Sequence, residues 1–253
     1  MPAAYDKYDY PSYWLTREYE YKSEIIALRQ LIGKIPHIKN LLDIGSGYGR
    51  LIPAYIYRCK KFTLSDPSAC LLSLARLKYQ KKNPQCRFIH SKLENLPQKI
   101  KTGSFDTILL IRVLHHLKNI DATFKTIFNL LPERGYFILE FANKSHIKAL
   151  CSEFLKGNTT FLLDIFPKDL RKKRNIRRKT LPFLNYHPDI IEKKLTDSGF
   201  EIIEKRSVSN FRSSFFKKLF PLELLLKLEK PLQGLLSDYN IGPSIFILCR
   251  KRS

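Results

Sequence analysis

No pair of cysteines in the 253 residues has the spacing that a zinc ribbon or a dithiol redox motif requires. Cys59, Cys70, Cys86, Cys151 and Cys249 are scattered, with no two within ten residues of each other, so no C-x-x-C exists and no metal site is expected. An odd count in a chain of this size reads as reduced thiols, which points to a cytoplasmic protein. Long apolar runs are absent too. Nowhere do about 18 apolar residues follow one another, so no transmembrane helix is expected. The opening stretch, Met1-Pro2-Ala3-Ala4-Tyr5-Asp6, lacks the apolar region of a secretory signal. No internal repeat occurs, and 10 Gly with 14 Pro exclude a low-complexity chain. Acid is scarce. Against 23 Asp and Glu stand 45 Lys and Arg, a formal charge of +22. Two readings of that charge stay open: an anionic partner (nucleic acid, acidic lipid, phosphorylated substrate), or a lysine-rich background without specific meaning.

What is present suits one large α/β domain with an appendage: the length fits, and 44% of residues are hydrophobic. After an aromatic stretch (Tyr5, Tyr8, Tyr10, Tyr13, Trp14), residues 17–33 carry apolar positions at helical spacing, stopped by Gly33 and Pro36. Short apolar strands then alternate with helices. Strands are predicted at 40–44, 62–64, 86–90, 105–111 and 135–141, and helices at 48–58, 69–80 and 121–131. This order implies a parallel sheet covered on both faces, doubly wound through right-handed crossovers. Beyond it, 143–163 reads as helical, a helix starts at His187-Pro188-Asp189, and strands are predicted at 200–203 and 244–249. Between them, residues 166–180 carry eight basic residues and one acidic, and 211–236 is apolar and basic.

The first strand runs into Asp43-Ile44-Gly45-Ser46-Gly47-Tyr48-Gly49. Glycines there allow a tight turn and close approach of a ligand to the backbone, and a following helix start offers free N–H groups. Asp66, 21 residues after Gly45 at the end of the second strand, can accept hydrogen bonds from ribose hydroxyls. A dinucleotide fingerprint would be G-x-G-x-x-G, but here the pattern is G-x-G-x-G followed by Arg50. Asp43 adds a carboxylate two residues before the first glycine, where a ligand ammonium can meet it. NAD has no such ammonium, which argues against a dehydrogenase.

Four segments in order resemble the class I S-adenosylmethionine-dependent methyltransferases, specifically the ubiquinone/menaquinone-biosynthesis-like, type 11 group. Leu41-Leu42-Asp43-Ile44-Gly45-Ser46-Gly47-Tyr48-Gly49 is similar to the family's first motif, and Leu64-Ser65-Asp66-Pro67-Ser68 to its second. Glu94-Asn95-Leu96-Pro97 matches the loop after strand three, and Ser104-Phe105-Asp106 through Leu114-His115-His116-Leu117 the fourth motif. The resemblance covers residues 5–142, and 182–250 more loosely. It implies a Rossmann-like, seven-stranded, mostly parallel sheet and S-adenosyl-L-methionine as cofactor. Gly45 and Gly47 would lie against the methionine part, Asp66 would bind the ribose, the backbone near Ile111 and Arg112 would line the donor pocket, and Ser46, Gly49 and Pro67 would also contact the cofactor. Where the family often reads Gly-Asp-Ala, with the acid bonding the adenine amine, this chain reads Ser91-Lys92-Leu93. Lysine only donates, so Ser91 or the Leu93 backbone would take that role. The N-terminal segment is expected to cover the donor site as a lid, with Arg17 pairing with the methionine carboxylate and Tyr13 bonding it; the other reading is a helix packed on the sheet edge.

Methyl transfer from a sulfonium needs orientation and exclusion of water more than acid–base help. His115 and His116 follow the fourth strand and are either general bases or packing residues of the next helix. Glu140, Asn143, Tyr186 and His187 fall near strand ends, where ligands bind in open α/β sheets. Glu140 is the candidate for touching an acceptor, against a loop hydrogen bond as the other reading. The basic run reads as a solvated insertion, because few aromatic rings interleave its charges. Residues 211–236 are expected to cap the acceptor pocket or to lie on an anionic membrane surface.

The division expected is a lid over 1–36, a core over 37–206 with the insertion near 166–180, and an elaboration over 207–253 that contains the last strand. The function expected is methyl transfer to a small-molecule or lipid-like acceptor by a cytoplasmic protein, or one peripheral to a membrane. The alternatives are a nucleic-acid-binding methyltransferase-like protein, a dehydrogenase and a domain without turnover.

Overall fold

The computed structural model describes residues 6, 9–117, 119–177 and 180–252. Tyr5, Tyr8 and, within the basic run 166–180, Arg178 and Lys179 lie outside them. One seven-stranded sheet organises the chain: β1 (Ile38–Ile44), β2 (Cys59–Asp66), β3 (Cys86–His90), β4 (Thr107–Leu110), β5 (Tyr136–Ala142), β6 (Phe200–Val208) and β7 (Ser244–Lys251). The ten helices described are α1 (Tyr10–Leu15), α2 (Glu18–Gly33), α3 (Ile52–Tyr55), α4 (Ala69–Tyr79), α5 (Ile120–Leu130), α6 (Ile147–Leu155), α7 (Lys173–Arg177), α8 (Pro188–Asp197), α9 (Ser214–Leu219) and α10 (Leu222–Leu235).

The strand order is β3-β2-β1-β4-β5-β7-β6. The first five strands are parallel, with Asp43 of β1 level with Leu64 of β2 and Leu109 of β4. The last strand enters between β5 and β6, antiparallel to both. Central strands buried on both faces need near-continuous apolar runs; Thr107-Ile108-Leu109-Leu110 and Phe137-Ile138-Leu139 supply them. Two cores result. On one face α2, α3 and α4 bury Leu28, Leu31, Tyr55 and Phe62; on the other α5 and α8 bury Phe124, Ile127, Ile191 and Leu195.

Two expectations need correction. The helix predicted over 48–58 shrinks to the four residues of α3, because Gly45, Gly47 and Gly49 all take positive φ and Pro53 falls in its first turn. The N-terminal 1–36 is not one lid. Only α1 lies on the glycine loop, whereas α2 buries Ala27, Leu28, Leu31 and Ile32 as a layer of the core. Within residues 211–236, α10 packs against α2, where Leu225 and Leu226 close a small core with Tyr19. There the buried Glu229 accepts from the Tyr19 hydroxyl at 2.7 Å and from the Ser209 N–H at 2.7 Å.

Between β5 and α8 the chain leaves the sheet edge for an appendage. Its ends stay together: the Lys144 N–H donates to the Tyr186 carbonyl, and the Tyr186 N–H to the Ala142 carbonyl, both at 2.9 Å. A two-residue ribbon pairs Lys168–Asp169 with Leu184–Asn185. The buried Lys144 ammonium holds the segment down, donating to the carbonyls of Asp164 and Phe166 at 2.6 and 2.7 Å and pairing with the Asp164 carboxylate at 2.7 Å.

Candidate functional site

The turn after β1 is built by three glycines for different reasons. A Cβ on Gly45 would stand 2.2 Å from the Val113 side chain, and one on Gly49 would stand 2.7 Å from Ile52. Both are packing glycines as well as positive-φ ones. At Gly47 (φ +54) the nearest neighbours of such a Cβ are Leu71 and Tyr10, 3.8 and 3.9 Å away. Gly47 is therefore the point where the loop has room for another molecule, and α1 lies over it.

Asp66 ends β2 next to that loop. It is buried, with Oδ2 accepting from the Gly47 N–H and Oδ1 from the Ser68 N–H, both at 2.8 Å. Burial raises its carboxyl, which the two backbone N–H groups oppose. Each oxygen retains acceptor capacity for a ligand hydroxyl. Asp43 lies deeper. The Tyr55 hydroxyl donates to its Oδ2 at 2.9 Å, and Oδ1 has no partner among the described residues. Burial lifts its carboxyl to about 7, opposed by the Tyr55 hydrogen bond.

The roof of the site is aromatic and cationic. The Arg50 guanidinium stacks on the Trp14 ring at 3.6 Å, and Arg17 stands over Tyr13 at 4.2 Å. Trp14 touches Tyr10 and Tyr13 edge-on. Beneath it is an ion triad that the sequence did not announce. Glu24 of α2 is fully buried and receives Arg50 Nη2 at 2.5 Å, with Arg112 Nε and Nη2 at 2.7 and 2.5 Å. Burial would push this carboxyl up, but the two guanidiniums outweigh it and hold it low. The available signal was an acid on the apolar face of α2, in line with Leu28 and Leu31, since such a position requires a buried partner.

Arg112 follows β4 with φ +62, a conformation unfavourable for a side chain with a Cβ. Its N–H donates to Glu140 Oε2 at 2.7 Å, and the Ser244 hydroxyl donates to Glu140 Oε1. Glu140 is buried with one hydrogen bond on each oxygen, and through the first of them it fixes the backbone at Arg112. Ile111 is buried beside it. Ser91 and Leu93 are buried at the end of β3, with Ser91 N–H on the Asp66 carbonyl and its hydroxyl on the Lys92 carbonyl. Pro67 receives His90 Nε2 on its carbonyl at 2.9 Å.

His115 and His116 form a short turn after β4, their rings 4.0 Å apart, with Phe183 of the appendage 4.6 Å from His115. His116 Nδ1 meets the Pro182 carbonyl at 2.7 Å. His115 is buried, its Nδ1 has no hydrogen-bond partner among the described residues, and burial, then His116 and Arg112, keeps the ring uncharged. Asn143 holds the Asn240 and Gly242 carbonyls, Tyr186 reaches the Leu114 and Leu117 carbonyls, and His187, at the N-terminus of α8, has Nε2 on the Leu162 carbonyl. Structure thus gathers Tyr13, Arg17, Asp43, the glycine loop, Asp66 and Arg112 under α1, and His115 with His116 at the neighbouring strand end. It assigns Asn143 and Tyr186 to backbone support.

Among the described residues, three buried polar atoms at this site have no partner: Arg17 Nε, Ser46 Oγ and Arg50 Nη1. Leaving buried donors unpaired is costly, so the arrangement suits a ligand that brings acceptors. An adenosyl amino acid fits it: ribose hydroxyls for Asp66, an ammonium for Asp43 and a carboxylate for the unpaired donors. Among the described residues no cluster of metal ligands occurs, and no helix is long and apolar enough to cross a membrane.

Residues 42–139 match the family described as methyltransferase domain. A curated relative, polyketide synthase PksR of Bacillus subtilis, is 26% identical over 155 residues, 54% of this chain; the chain spans only 6% of that protein. Among solved structures, a SAM-dependent methyltransferase of Thermotoga maritima, described as a possible histamine N-methyltransferase, superposes with a TM-score of 0.60 at 17% identity, covering 98% of both chains. The 1,6-didemethyltoxoflavin-N1-methyltransferase of Burkholderia thailandensis, solved with its substrate and S-adenosylhomocysteine, gives 0.60 at 14% identity over 92% of this chain and 79% of that one. With the glycine loop, the acid ending β2 and the strand order all in place, residues 42–139 match a methyltransferase domain on a sheet of the class I methyltransferase fold.

Proposed function

We propose that this protein transfers a methyl group from S-adenosyl-L-methionine to a small-molecule or lipid-like acceptor bound at the C-terminal ends of β4 and β5. The observation that carries the reading is the cluster of unpaired donors around the glycine loop facing the acid that ends β2. S-adenosylmethionine, when bound, supplies an already activated methyl group. Asp66 would hold its ribose, Asp43 its ammonium, and Arg17 with Arg50 its carboxylate. Ser91 and Leu93 would border the adenine. The Tyr10–Trp14 roof would keep water out, which strengthens every polar contact beneath it.

On the acceptor side, His115 offers an uncharged ring with an unpaired nitrogen at the sheet edge, next to Phe183. It can accept a hydrogen bond from a hydroxyl or amine and, for an acceptor that loses a proton, take it. The Burkholderia protein is by its description an N1-methyltransferase of 1,6-didemethyltoxoflavin, which supports a small acceptor here.

Trp14 is the sole tryptophan, so its fluorescence reports the site directly. Titration with S-adenosylhomocysteine should change that emission saturably, while NAD(H) leaves it unchanged. No response to the first, or a response to the second, would overturn the reading.

A further inference from the structure

The appendage between β5 and α8 exposes what a solvated insertion has no use for. Its longest helix, α6, buries none of its residues. Yet Ile147, Leu150, Cys151 and Phe154 recur at i, i+3, i+4 and i+7, the spacing of one apolar helix face. The chain that follows presents Leu155 (85% exposed), Leu163 (79%) and Phe166 (75%), with Leu162, Ile165 and Leu170 also exposed. Solvent contact over so many large apolar side chains in one segment marks an interaction surface.

Charge identifies the occupant. Lys172, Lys173, Arg174 and Arg177 are exposed and have no carboxylate partner among the described residues. An open cleft of about 640 Å³ runs between Leu170, Arg171, Lys172, Arg174, Asn175 and Phe183, so cations and apolar side chains line one hollow. Basic residues interspersed with insertable leucines and phenylalanines match a surface of acidic headgroups over acyl chains. Single-stranded nucleic acid fits less well. It needs rings to stack on, and most of the exposed apolar side chains here are aliphatic.

We propose that the appendage, residues 147–183, docks the protein on an anionic lipid surface, with its leucines and phenylalanines among the headgroups and its basic run against the phosphates. Position gives this docking a consequence. The appendage leaves and rejoins the sheet at the end of β5, the edge that also carries the glycine loop, Asp66 and His115. Phe183 belongs both to the cleft and to the His115 contact. Docking would turn that edge toward the lipid.

The test is co-sedimentation of the full chain with phosphatidylcholine vesicles containing about one-third phosphatidylserine at about 0.1 M salt. Binding is expected, weakening about tenfold with phosphatidylcholine alone. The combined variant Leu155→Glu, Leu163→Glu, Phe166→Glu should weaken it at least about tenfold; these side chains are exposed, and unchanged Trp14 fluorescence would report an intact fold. If that variant misfolds, Lys172→Glu with Arg174→Glu decides, because it must abolish the preference for phosphatidylserine. Absence of vesicle binding, or binding that both variants retain, overturns the proposal. So does tighter salt-dependent binding to a single-stranded RNA than to vesicles, or self-association abolished by the triple variant in a protein that ignores vesicles. None of these outcomes depends on methyl transfer.

Discussion

Arg112 grips Glu24 through two nitrogens, Nε at 2.7 Å and Nη2 at 2.5 Å, and so joins the loop after β4 to the helix that precedes β1. Arg50 binds the other Glu24 oxygen, which brings the glycine loop into the same knot. Removing one partner of a buried ion cluster is worse than never having built it. Glu24→Gln should therefore destabilise the fold by about 3–5 kcal/mol, read as a fall in chemical-denaturation midpoint. The sign of the pH effect follows from the lowered carboxyl: Glu24 contributes stability above its unfolded value near 4.5, and loses it as pH falls below that. A variant as stable as the parent at pH 7 would contradict this.

Asp43 behaves in the opposite sense. Its carboxyl, raised to about 7 by burial, imposes no cost below the unfolded value near 3.8. The cost grows as pH rises and is complete above 7. Asp43→Asn should stabilise the protein at pH 8 and change little at pH 4, by thermal melting. If Asp43 meets the ligand ammonium, S-adenosylhomocysteine should bind more tightly as pH rises from 6 to 8 in the parent, and this trend should flatten in the variant.

Asp66→Asn keeps one acceptor but turns an amide N–H₂ toward a backbone donor. We expect S-adenosylhomocysteine affinity to fall about tenfold or more, since hydrogen bonds to a charged group are worth about 1.5–3 kcal/mol. Trp14 fluorescence titration measures it; undiminished affinity would remove Asp66 from the ribose.

The glycines separate by steric cause. Gly45→Ala must displace Val113 from 2.2 Å and also adopt φ +72, so a severe loss of folded protein is expected. Gly47→Ala has room and meets mainly the backbone penalty of about 1–2 kcal/mol. Equal melting temperatures for the two variants would refute this distinction.

Lys92 stands immediately before the 3-10 turn Leu93–Gln98, at its N-cap, without a side-chain capping bond. Lys92→Asp supplies a capping acceptor, worth about 0.5–1 kcal/mol, and an acceptor for an adenine amine. Both stability and S-adenosylhomocysteine affinity should rise. A loss of affinity would place the adenine elsewhere.

The centre of the sheet was legible because its strands contain unbroken apolar runs, which β-branched and aromatic residues make hard to misread: Phe137 to Leu139 and Ile245 to Leu248 admit little else. The loop between β1 and β2 was less so. Ile52, Tyr55 and Ile56 repeat as a helix would, yet three positive-φ glycines consume the chain first. The glycines and Asp66 announced a ligand site from sequence alone. Glu24 did not, because its two partners come from distant loops and pairing across such distances leaves no local pattern. Glu140 was visible as an acid at a strand end, but its engagement by the Arg112 backbone and Ser244 depends on where β7 inserts.

The paired backbone bonds between Ala142, Lys144 and Tyr186 close the appendage at its base. To the sheet, everything between those residues is equivalent to one tight connection, tied by a lysine and a two-residue ribbon. Sequence drift within that cassette is shielded from the β-strands. The surface that meets the outside world can be rewritten without renegotiating how the donor end is held, and relatives built on the same sheet are free to differ most where this chain is most basic.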